Sequence, residues 1–243
     1  MPAAGQIIRW GTERARTGKW RADGSVAFLA PLPDGRAPSP EFVRQCLRML
    51  AKQGYERVVT GALAPFEQQV FLDAGFAVHE PLHLLVLDHT VAVPPVPPGP
   101  RLRRAGARRR EGVLEVDAAA FSSFWRLDRA GLGEALEATP RHRLRVVLGD
   151  GRRVVGYAIC GAASSRGFVQ RLAVDPKAQR RGLGQRLLLD GVHWLRTQGT
   201  SQIAVNTQYG NRAALALYHK VGFRDDPEGL CVLSAPLGSS ILG

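Results

Sequence analysis

The sequence has few cysteines and no long apolar run. Its three cysteines, Cys46, Cys160 and Cys231, form neither a C-x-x-C pair nor an even set, so neither a disulfide framework nor a metal site is expected. No apolar stretch approaches the roughly 20 residues of a membrane-spanning helix, and residues 1–10 lack the pattern of a secretion signal. We therefore expect a soluble, cytoplasmic protein that binds neither metal nor membrane.

Lysine is also rare, since only four of the 33 basic residues are Lys. The net charge of +12 is unevenly distributed: residues 1–90 carry ten basic and nine acidic side chains, whereas residues 101–243 carry 23 and 12. A genome biased toward arginine codons would explain this composition. Alternatively, the second part binds a polyanionic cofactor, with or without an acidic or nucleic-acid-bound partner; direct binding of nucleic acid is not expected.

Prolines are concentrated in residues 91–100, VAVPPVPPGP. This composition excludes a helix or a central strand and favours a stiff, extended linker. It predicts a domain boundary between residues 1–90 and residues 101–243. Nothing in the sequence indicates the oligomeric state.

Residues 101–243 carry the pattern of a mixed α/β domain. The predicted order is strand, two helices, three strands, helix, strand, helix and strand. A hairpin around Asp150-Gly151 joins two of the strands. In residues 1–90, the alternation of apolar and polar residues predicts short strands, and helix-start signals predict two helices. The first helix begins at Ser39-Pro40.

A loop between a strand and a helix has the features of a phosphate site. The strand ends at Leu172-Ala173-Val174, Pro176 directs the chain out of the ladder, and an amphipathic helix begins near Gly182. The first four amides of a helix lack internal partners, and the helix dipole is positive there. Arg180 and Arg181 add positive charge, so the loop is suited to bind a pyrophosphate.

With this loop, two further motifs give residues 101–235 a resemblance to the GNAT superfamily of acetyl-CoA-dependent N-acetyltransferases. The motifs are Leu172-Ala173-Val174, the Gln179-x-x-Gly182-x-Gly184 loop, and Asn211-x-x-Ala214-x-x-Leu217-Tyr218-x-x-x-Gly222-Phe223. The resemblance implies a mixed central sheet with helices on both faces. Val116-Asp117-x-x-x-Phe121-x-x-x-Trp125 is similar to the first helix and following loop of ribosomal-protein alanine N-acetyltransferases.

The resemblance implies a cofactor site. The backbone of the last strand residues would separate from the next strand and pair with the pantetheine arm and acetyl carbonyl, and the loop amides would hold the pyrophosphate. The Tyr218 hydroxyl would protonate the leaving thiolate; alternatively, it is a structural aromatic. Asn211 would reach the pantetheine or act only as a helix N-cap. The implied cofactor-binding residues are Leu172, Ala173, Val174, Gln179, Arg180, Arg181, Gly182, Leu183, Gly184, Gln185 and Asn211.

The acceptor side departs from the family pattern. The resemblance implies a Glu on the strand before the Asn loop, but Asn206 stands there, and an amide cannot act as a base. Asp117 is a candidate base, directly or through water. A water relay to solvent is the preferred mechanism. Phe121, Trp125, Gln170 and Asn206 are the candidate acceptor-binding residues.

Residues 1–90 read as a degenerate repeat of the second half of this fold, a smaller N-terminal α/β pseudo-repeat. The repeat has Arg36-Ala37-Pro38-Ser39-Pro40 in place of the glycine loop and Phe71 in place of Tyr218. It is therefore not expected to bind the cofactor, and it would cover the catalytic sheet or shape the acceptor cleft. The alternative is a coincidental α/β pattern.

The expected function is direct transfer of acetyl from acetyl-CoA to a primary amine in a ternary complex, since no cysteine lies in a reactive context. The first candidate acceptor is a protein N-terminus. A small-molecule amine is the second, because the two-repeat layout is similar to that of mycothiol synthases and some antibiotic acetyltransferases. A non-catalytic acetyl-CoA sensor is the third, because a base is missing at Asn206.

Overall fold

The computed structural model describes residues 6–21, 23–32 and 38–238. They form two compact units: the first takes its residues from Met1–His83 and Pro227–Gly243, and the second is Leu84–Asp226. These boundaries lie elsewhere than the proline-rich segment, and the domain division at residues 91–100 stays a prediction. Residues 33–37, which include Arg36 and Ala37 of the segment compared with the glycine loop, lie outside the described part.

The first unit is built from β-strands that alternate with two helices. Its strand order is β1-β2-β3-β4-β11, and β3 and β4 pair in parallel through three residue pairs, from Val26↔Arg57 to Phe28↔Val59. β11 and β5 each extend across the boundary between the units. The elements are β1 (Gln6–Trp10), β2 (Glu13–Lys19), β3 (Val26–Pro31), α1 (Pro40–Lys52), β4 (Arg57–Leu63), α2 (Pro65–Asp73), β5 (Ala77–Asp88) and β11 (Arg224–Pro236).

Helix α1 forms where the sequence predicts it. The Ser39 side chain accepts a hydrogen bond from the Phe42 amide, and Pro40 supplies the favoured φ at the first helical position. The helix buries one apolar face in the core of the unit. This face consists of Phe42, Val43, Cys46, Leu47 and Leu50.

The second unit is a mixed sheet with helices on both faces, so the predicted fold class is confirmed. Its strand order continues from β5 as β10-β9-β8-β7-β6. Cys160 of β8 contacts Gly191 of α5, whereas Tyr157 and Ile159 of β8 share a core with α3 and α4. The remaining elements are β6 (Arg103–Arg104), α3 (Arg110–Ala120), α4 (Arg129–Glu137), β7 (Arg141–Leu148), β8 (Val154–Ala163), β9 (Arg166–Val174), α5 (Leu183–Thr197), β10 (Gln202–Gln208) and α6 (Arg212–Val221).

The proline-rich segment lies along α5. The Arg186 Nη2 atom donates to the Pro100 carbonyl at 2.8 Å, and the His193 Nε2 atom lies 2.9 Å from the Pro94 carbonyl oxygen. Arg196 donates to the Val91 carbonyl. Since proline has no amide hydrogen, carbonyl groups are the main polar groups of this segment, and α5 supplies donors to three of them.

The strands differ from those that the sequence predicts in two ways. β2 was not predicted, because its buried residues Ala15 and Thr17 alternate with charged side chains and carry little apolar signal. β5 and β11 extend well beyond their apolar cores and run through Pro81 and Pro227, where a strand was not expected. No helix within residues 6–21, 23–32 and 38–238 is long and apolar enough to cross a membrane.

Candidate functional site

The carboxyl-terminal half of β9 has one edge without a strand partner. β10 pairs with β9 only from Gln202↔Arg166 to Ala204↔Phe168, so among the described residues the two strands separate beyond this point. The other edge of β9 remains paired with β8 as far as Gly156↔Val174. The predicted residues Leu172, Ala173 and Val174 therefore lie where an extended ligand can add to the sheet.

A β-bulge lies within this open segment, at Gln170. The β8–β9 register shifts between Ile159 and Cys160, so Gln170 faces no single partner. Its Nε2 atom lies 3.5 Å from Thr139 Oγ1, and its Oε1 atom is buried without a hydrogen bond from the described residues. A Cβ atom at Gly161 would lie 2.2 Å from Thr139 Oγ1, which explains the glycine at that position.

The loop from β9 to α5 is held by its own side chains. Gln179 Nε2 donates to the Val174 carbonyl at 3.2 Å. Asp175 accepts from the Lys177 amide at 2.9 Å and pairs with Arg153 at 2.9 Å. These contacts fix the chain as it turns from the strand toward the helix.

Helix α5 starts with its amides exposed to a potential ligand. Gly182 has φ of 75°, a left-handed conformation that favours glycine, and it provides no side-chain cap. The helical hydrogen bond nearest this end runs from the Arg186 amide to the Gly182 carbonyl at 3.1 Å. Among the described residues no acceptor pairs with the amides of residues 183–185, as an anion site at a helix start requires, and the exposed Arg180 and Arg181 lie next to them in the chain.

Asn211 caps helix α6. Its Oδ1 atom accepts from the Ala214 amide at 3.2 Å, and its Nδ2 atom donates to Thr207 Oγ1 at 3.1 Å. The side chain is thus held in place by both ends of its amide. Its predicted contact with the pantetheine arm stays a prediction.

Tyr218 lies on α6 with only 5% of its surface exposed, and its ring packs 5.8 Å from that of Phe223. Burial, with a smaller effect of the nearby Cys160, raises the pKa of Tyr218 to about 12. The phenol therefore keeps its proton throughout the neutral range. This is the state that a general acid requires.

Asp117 is fully buried and all its contacts are internal. It forms a two-point ion pair with Arg171, at 2.8 Å to Nε and 3.1 Å to Nη2. It also accepts hydrogen bonds from the Leu127 amide at 2.6 Å and from the Tyr157 hydroxyl. An incoming amine cannot reach this carboxylate without displacing one of these donors, so the contacts favour an anchoring role, and the predicted catalytic role stays a prediction.

The predicted acceptor residues lie in two places. Phe121 and Trp125 flank the short loop between α3 and α4, and the Arg171 guanidinium lies 3.5 Å from the centre of the Phe121 ring. Asn206 is exposed on β10. Sequence reasoning missed the roles of Arg171 and Tyr157; the signal was a charged residue next to the apolar Leu172-Ala173-Val174, but its partner lies 54 residues away in the chain.

Known proteins provide an independent comparison. Residues 111–223 match the acetyltransferase (GNAT) family. A mycothiol acetyltransferase from Thermomonospora curvata is 30% identical over 226 residues, which cover 83% of this chain and 76% of that protein. The [ribosomal protein bS18]-alanine N-acetyltransferase of Salmonella typhimurium is 36% identical over 73 residues, covering 30% of this chain and 49% of that protein.

The fold comparison extends over both units. A tandem GNAT protein from the clavulanic acid biosynthesis pathway superposes with a TM-score of 0.70 at 15% identity, covering 98% of this chain and 85% of that chain. This likeness concerns the fold. The chain spans about half the length of the first curated relatives that it matches.

Proposed function

The chain belongs to the acetyltransferase (GNAT) family, and from this premise we propose that it transfers the acetyl group of acetyl-CoA to a primary amine. One arrangement carries the proposal: the part of β9 beyond Phe168, which β10 leaves unpaired, leads into the loop where α5 starts at Gly182 without a side-chain cap. An open strand edge and a helix N-terminus lie in succession along one segment. The strand edge suits the extended arm of a ligand, and the helix N-terminus suits a pyrophosphate at the end of that arm.

The residues present fit acetyl-CoA. The free edge of Leu172 to Val174 offers backbone groups to the pantetheine amides, as an added strand does. The amides before Arg186 and the positive end of the α5 dipole suit the pyrophosphate, with Arg180 and Arg181 as additional cations. When bound, acetyl-CoA supplies the activated acetyl group.

Tyr218 acts as the general acid of the reaction. Its hydroxyl is protonated at neutral pH because burial raises its pKa to about 12. It donates this proton to the departing thiolate sulfur. Its ring packs against Phe223, which restrains the motion of the side chain.

The attacking amine loses its proton to water. Asn206 has no basic group, and the Asp117 carboxylate is enclosed by its donors, so water is the available carrier. Asn206 is exposed on β10, so water at this side chain can carry the proton to solvent. Because the acceptor amine must be neutral, the rate rises with pH toward the pKa of that amine.

Transfer is direct and has no acyl-enzyme stage. The second unit, Leu84–Asp226, contains one cysteine, Cys160, and burial raises the pKa of its thiol to about 12. A buried thiol in this state is a poor nucleophile. The amine therefore attacks the acetyl carbonyl in a ternary complex.

A small-molecule amine is the first candidate acceptor. The alignment that spans most of both units is with a mycothiol acetyltransferase, and that protein covers the first unit as well as the second. A peptide N-terminus is the second candidate. It is supported by the bS18-alanine N-acetyltransferase match, which covers 30% of this chain.

An acetylation screen tests the proposal. The full chain is incubated with acetyl-CoA and either amino sugars and amino acid amides or peptides with free N-termini. Release of free CoA is followed with a thiol reagent, and products are identified by mass. We expect an acceptor-dependent release of CoA; binding of acetyl-CoA with no turnover on any amine would favour a sensor instead.

A further inference from the structure

A buried ion pair connects the cofactor strand to the loop on the proposed acceptor side. Arg171 lies in the part of β9 that β10 leaves unpaired, and Asp117 lies near the end of α3. The two-point pairing uses Nε and Nη2 of the guanidinium, and Asp117 has no exposed surface. The Tyr157 hydroxyl donates to the same carboxylate from β8. The pair is thus attached to the sheet on two neighbouring strands.

The loop of residues 121–127 depends on this pair at three points. Arg171 Nη2 donates to the Trp125 carbonyl at 2.6 Å. The guanidinium lies 3.5 Å from the Phe121 ring centre, which is within cation–π range. At the far end of the loop, the Leu127 amide donates to Asp117 at 2.6 Å.

Only arginine can make this set of contacts. A guanidinium is planar, presents five donors in a fixed fork and stacks on aromatic rings, whereas a lysine ammonium is a single point charge. A lysine at position 171 would keep the positive charge beside Asp117. It would lose the two-point pairing, the stack on Phe121 or the bond to Trp125.

We propose that Arg171, together with Asp117, is a positioning residue that fixes residues 121–127 beside the acetyl-binding end of β9 and so determines which acceptor amines fit. The proposal rests on the proposed function. Arg171 lies between the Gln170 bulge and Leu172, within the part of β9 that β10 leaves unpaired. A displacement of the guanidinium therefore moves the loop relative to the strand that aligns the acetyl group.

The proposal differs from a role of Asp117 as general base. If Asp117 were the general base, Asp117→Asn would lower kcat and change its pH profile, whereas Arg171→Lys would lower kcat less. A positioning pair gives both variants the same signature. The acceptor KM rises while kcat and its pH profile change little.

The test compares Arg171→Lys and Asp117→Asn with Arg143→Lys as the matched control. Arg143 also pairs with an aspartate, Asp190 at 3.0 Å, and lies 5.9 Å from the ring of Trp194. It is on β7 and has no contact with residues 121–127 among those described. Hydrogen exchange of residues 121–127 is measured by mass spectrometry, and acetyl-CoA affinity by calorimetry.

We expect amide exchange in residues 121–127 to become at least about tenfold faster in both test variants, with acetyl-CoA affinity within twofold of wild type. With the best amine of the screen, KM should rise about tenfold and kcat should change less than threefold. Arg143→Lys should match wild type in every readout. Unchanged exchange, or a loss of kcat with unchanged KM, overturns the proposal.

The exchange measurement also separates this proposal from the proposed function. If wild type acetylates neither an amino sugar nor an N-terminal-alanine peptide, the enzymatic proposal fails, while faster exchange would still support the anchor. If turnover is found but exchange is unchanged, the anchor fails alone. Should Asp117→Asn not fold, Arg171→Lys carries the test, because it keeps the charge beside the buried carboxylate.

Discussion

The two halves of the chain share one structural plan but differ at one helix start. β3, α1, β4, α2 and β5 follow one another as β9, α5, β10, α6 and β11 do. In each half the parallel ladder between the two strands flanking the first helix contains three residue pairs. The sequence-based interpretation of an internal repeat is confirmed by the order of elements and by the tandem protein with the same fold.

The resemblance extends to the aromatic pair after the second helix. Phe71 and Phe76 pack at 5.2 Å in the first half, and Tyr218 and Phe223 pack at 5.8 Å in the second. Both pairs span five residues and enclose a glycine with positive φ, Gly75 or Gly222. The difference is one hydroxyl group, which the first half lacks.

The N-termini of α1 and α5 differ in the side chains that form hydrogen bonds there. At α1, the Ser39 amide and hydroxyl both donate to the Glu13 carboxylate, and the Ser39 hydroxyl caps the Phe42 amide. At α5, Gly182 offers no side chain. The first half thus places its own carboxylate at the helix start, whereas the start of α5 has no side-chain cap, as the proposed pyrophosphate site requires. We infer that the cofactor chemistry resides in a short loop and not in the shared plan.

The largest expected effect comes from closing the open helix start. Gly182→Glu adds a Cβ at φ of 75° and a negative charge at the amides, so we expect acetyl-CoA binding to fall by about 100-fold or more in calorimetry. Gly199→Glu is the matched control, because Gly199 has φ of 77° with open space around it at the other end of α5. Equal losses in both variants would contradict the pyrophosphate site.

The next effect concerns the hydroxyl that distinguishes the two aromatic pairs. Tyr218→Phe removes this hydroxyl, so that the second half has the same two phenylalanine rings as the first. We expect kcat to fall by about 10²-fold, because general acid catalysis usually contributes a rate factor of this size. Acetyl-CoA affinity and the melting temperature serve as controls for an intact fold. A kcat within threefold of wild type would assign Tyr218 a structural role only.

A smaller effect is expected from opening the first helix start. Glu13→Gln weakens two hydrogen bonds and removes a charge near the α1 dipole, so the free energy of unfolding should fall by about 1 kcal/mol in chemical denaturation. Glu41→Gln is the control, because Glu41 is exposed in the same first turn and its ion pair is with the exposed Arg44. A change in acetyl-CoA affinity in Glu13→Gln would contradict the view that this half takes no part in cofactor binding.

Local signals in the sequence predicted most of the fold. Ser39-Pro40 and the apolar spacing of α1 fixed its position, and Pro176 and Gly182 marked the loop before α5. Long-range pairs carry no such signal. The contact of Arg171 with Asp117 depends on how β9 packs against α3, and charge alone could not identify it among 33 basic residues.

The candidate site was predictable in part. The cofactor loop follows from its own residues, and the structure adds that the adjoining strand is unpaired there. The acceptor side was harder, because Asp117 was a candidate base in the sequence analysis, whereas in the structure its carboxylate is buried and paired with Arg171. A side chain that serves a loop ten residues away cannot be distinguished from a solvated one by spacing alone.

The smallest expected effect is a pH dependence that separates the two aromatic pairs. Burial raises the pKa of Tyr218 from 10.0 to about 12, so its stabilising contribution is complete well below pH 10, begins to fall as the unfolded chain ionises near pH 10, and is lost by about pH 12. Between pH 8 and pH 10 the free energy of unfolding should fall by about 0.4 kcal/mol more in wild type than in Tyr218→Phe. Tyr157, whose pKa is also raised, and the buried thiols of Cys46 and Cys160 act in the same direction but are common to both proteins. Denaturant titrations at the two pH values measure the difference. An equal fall in the free energy of unfolding of both proteins would mean that the Tyr218 hydroxyl is solvated. The Tyr218–Phe223 pair would then differ from the Phe71–Phe76 pair less than the burial of Tyr218 indicates.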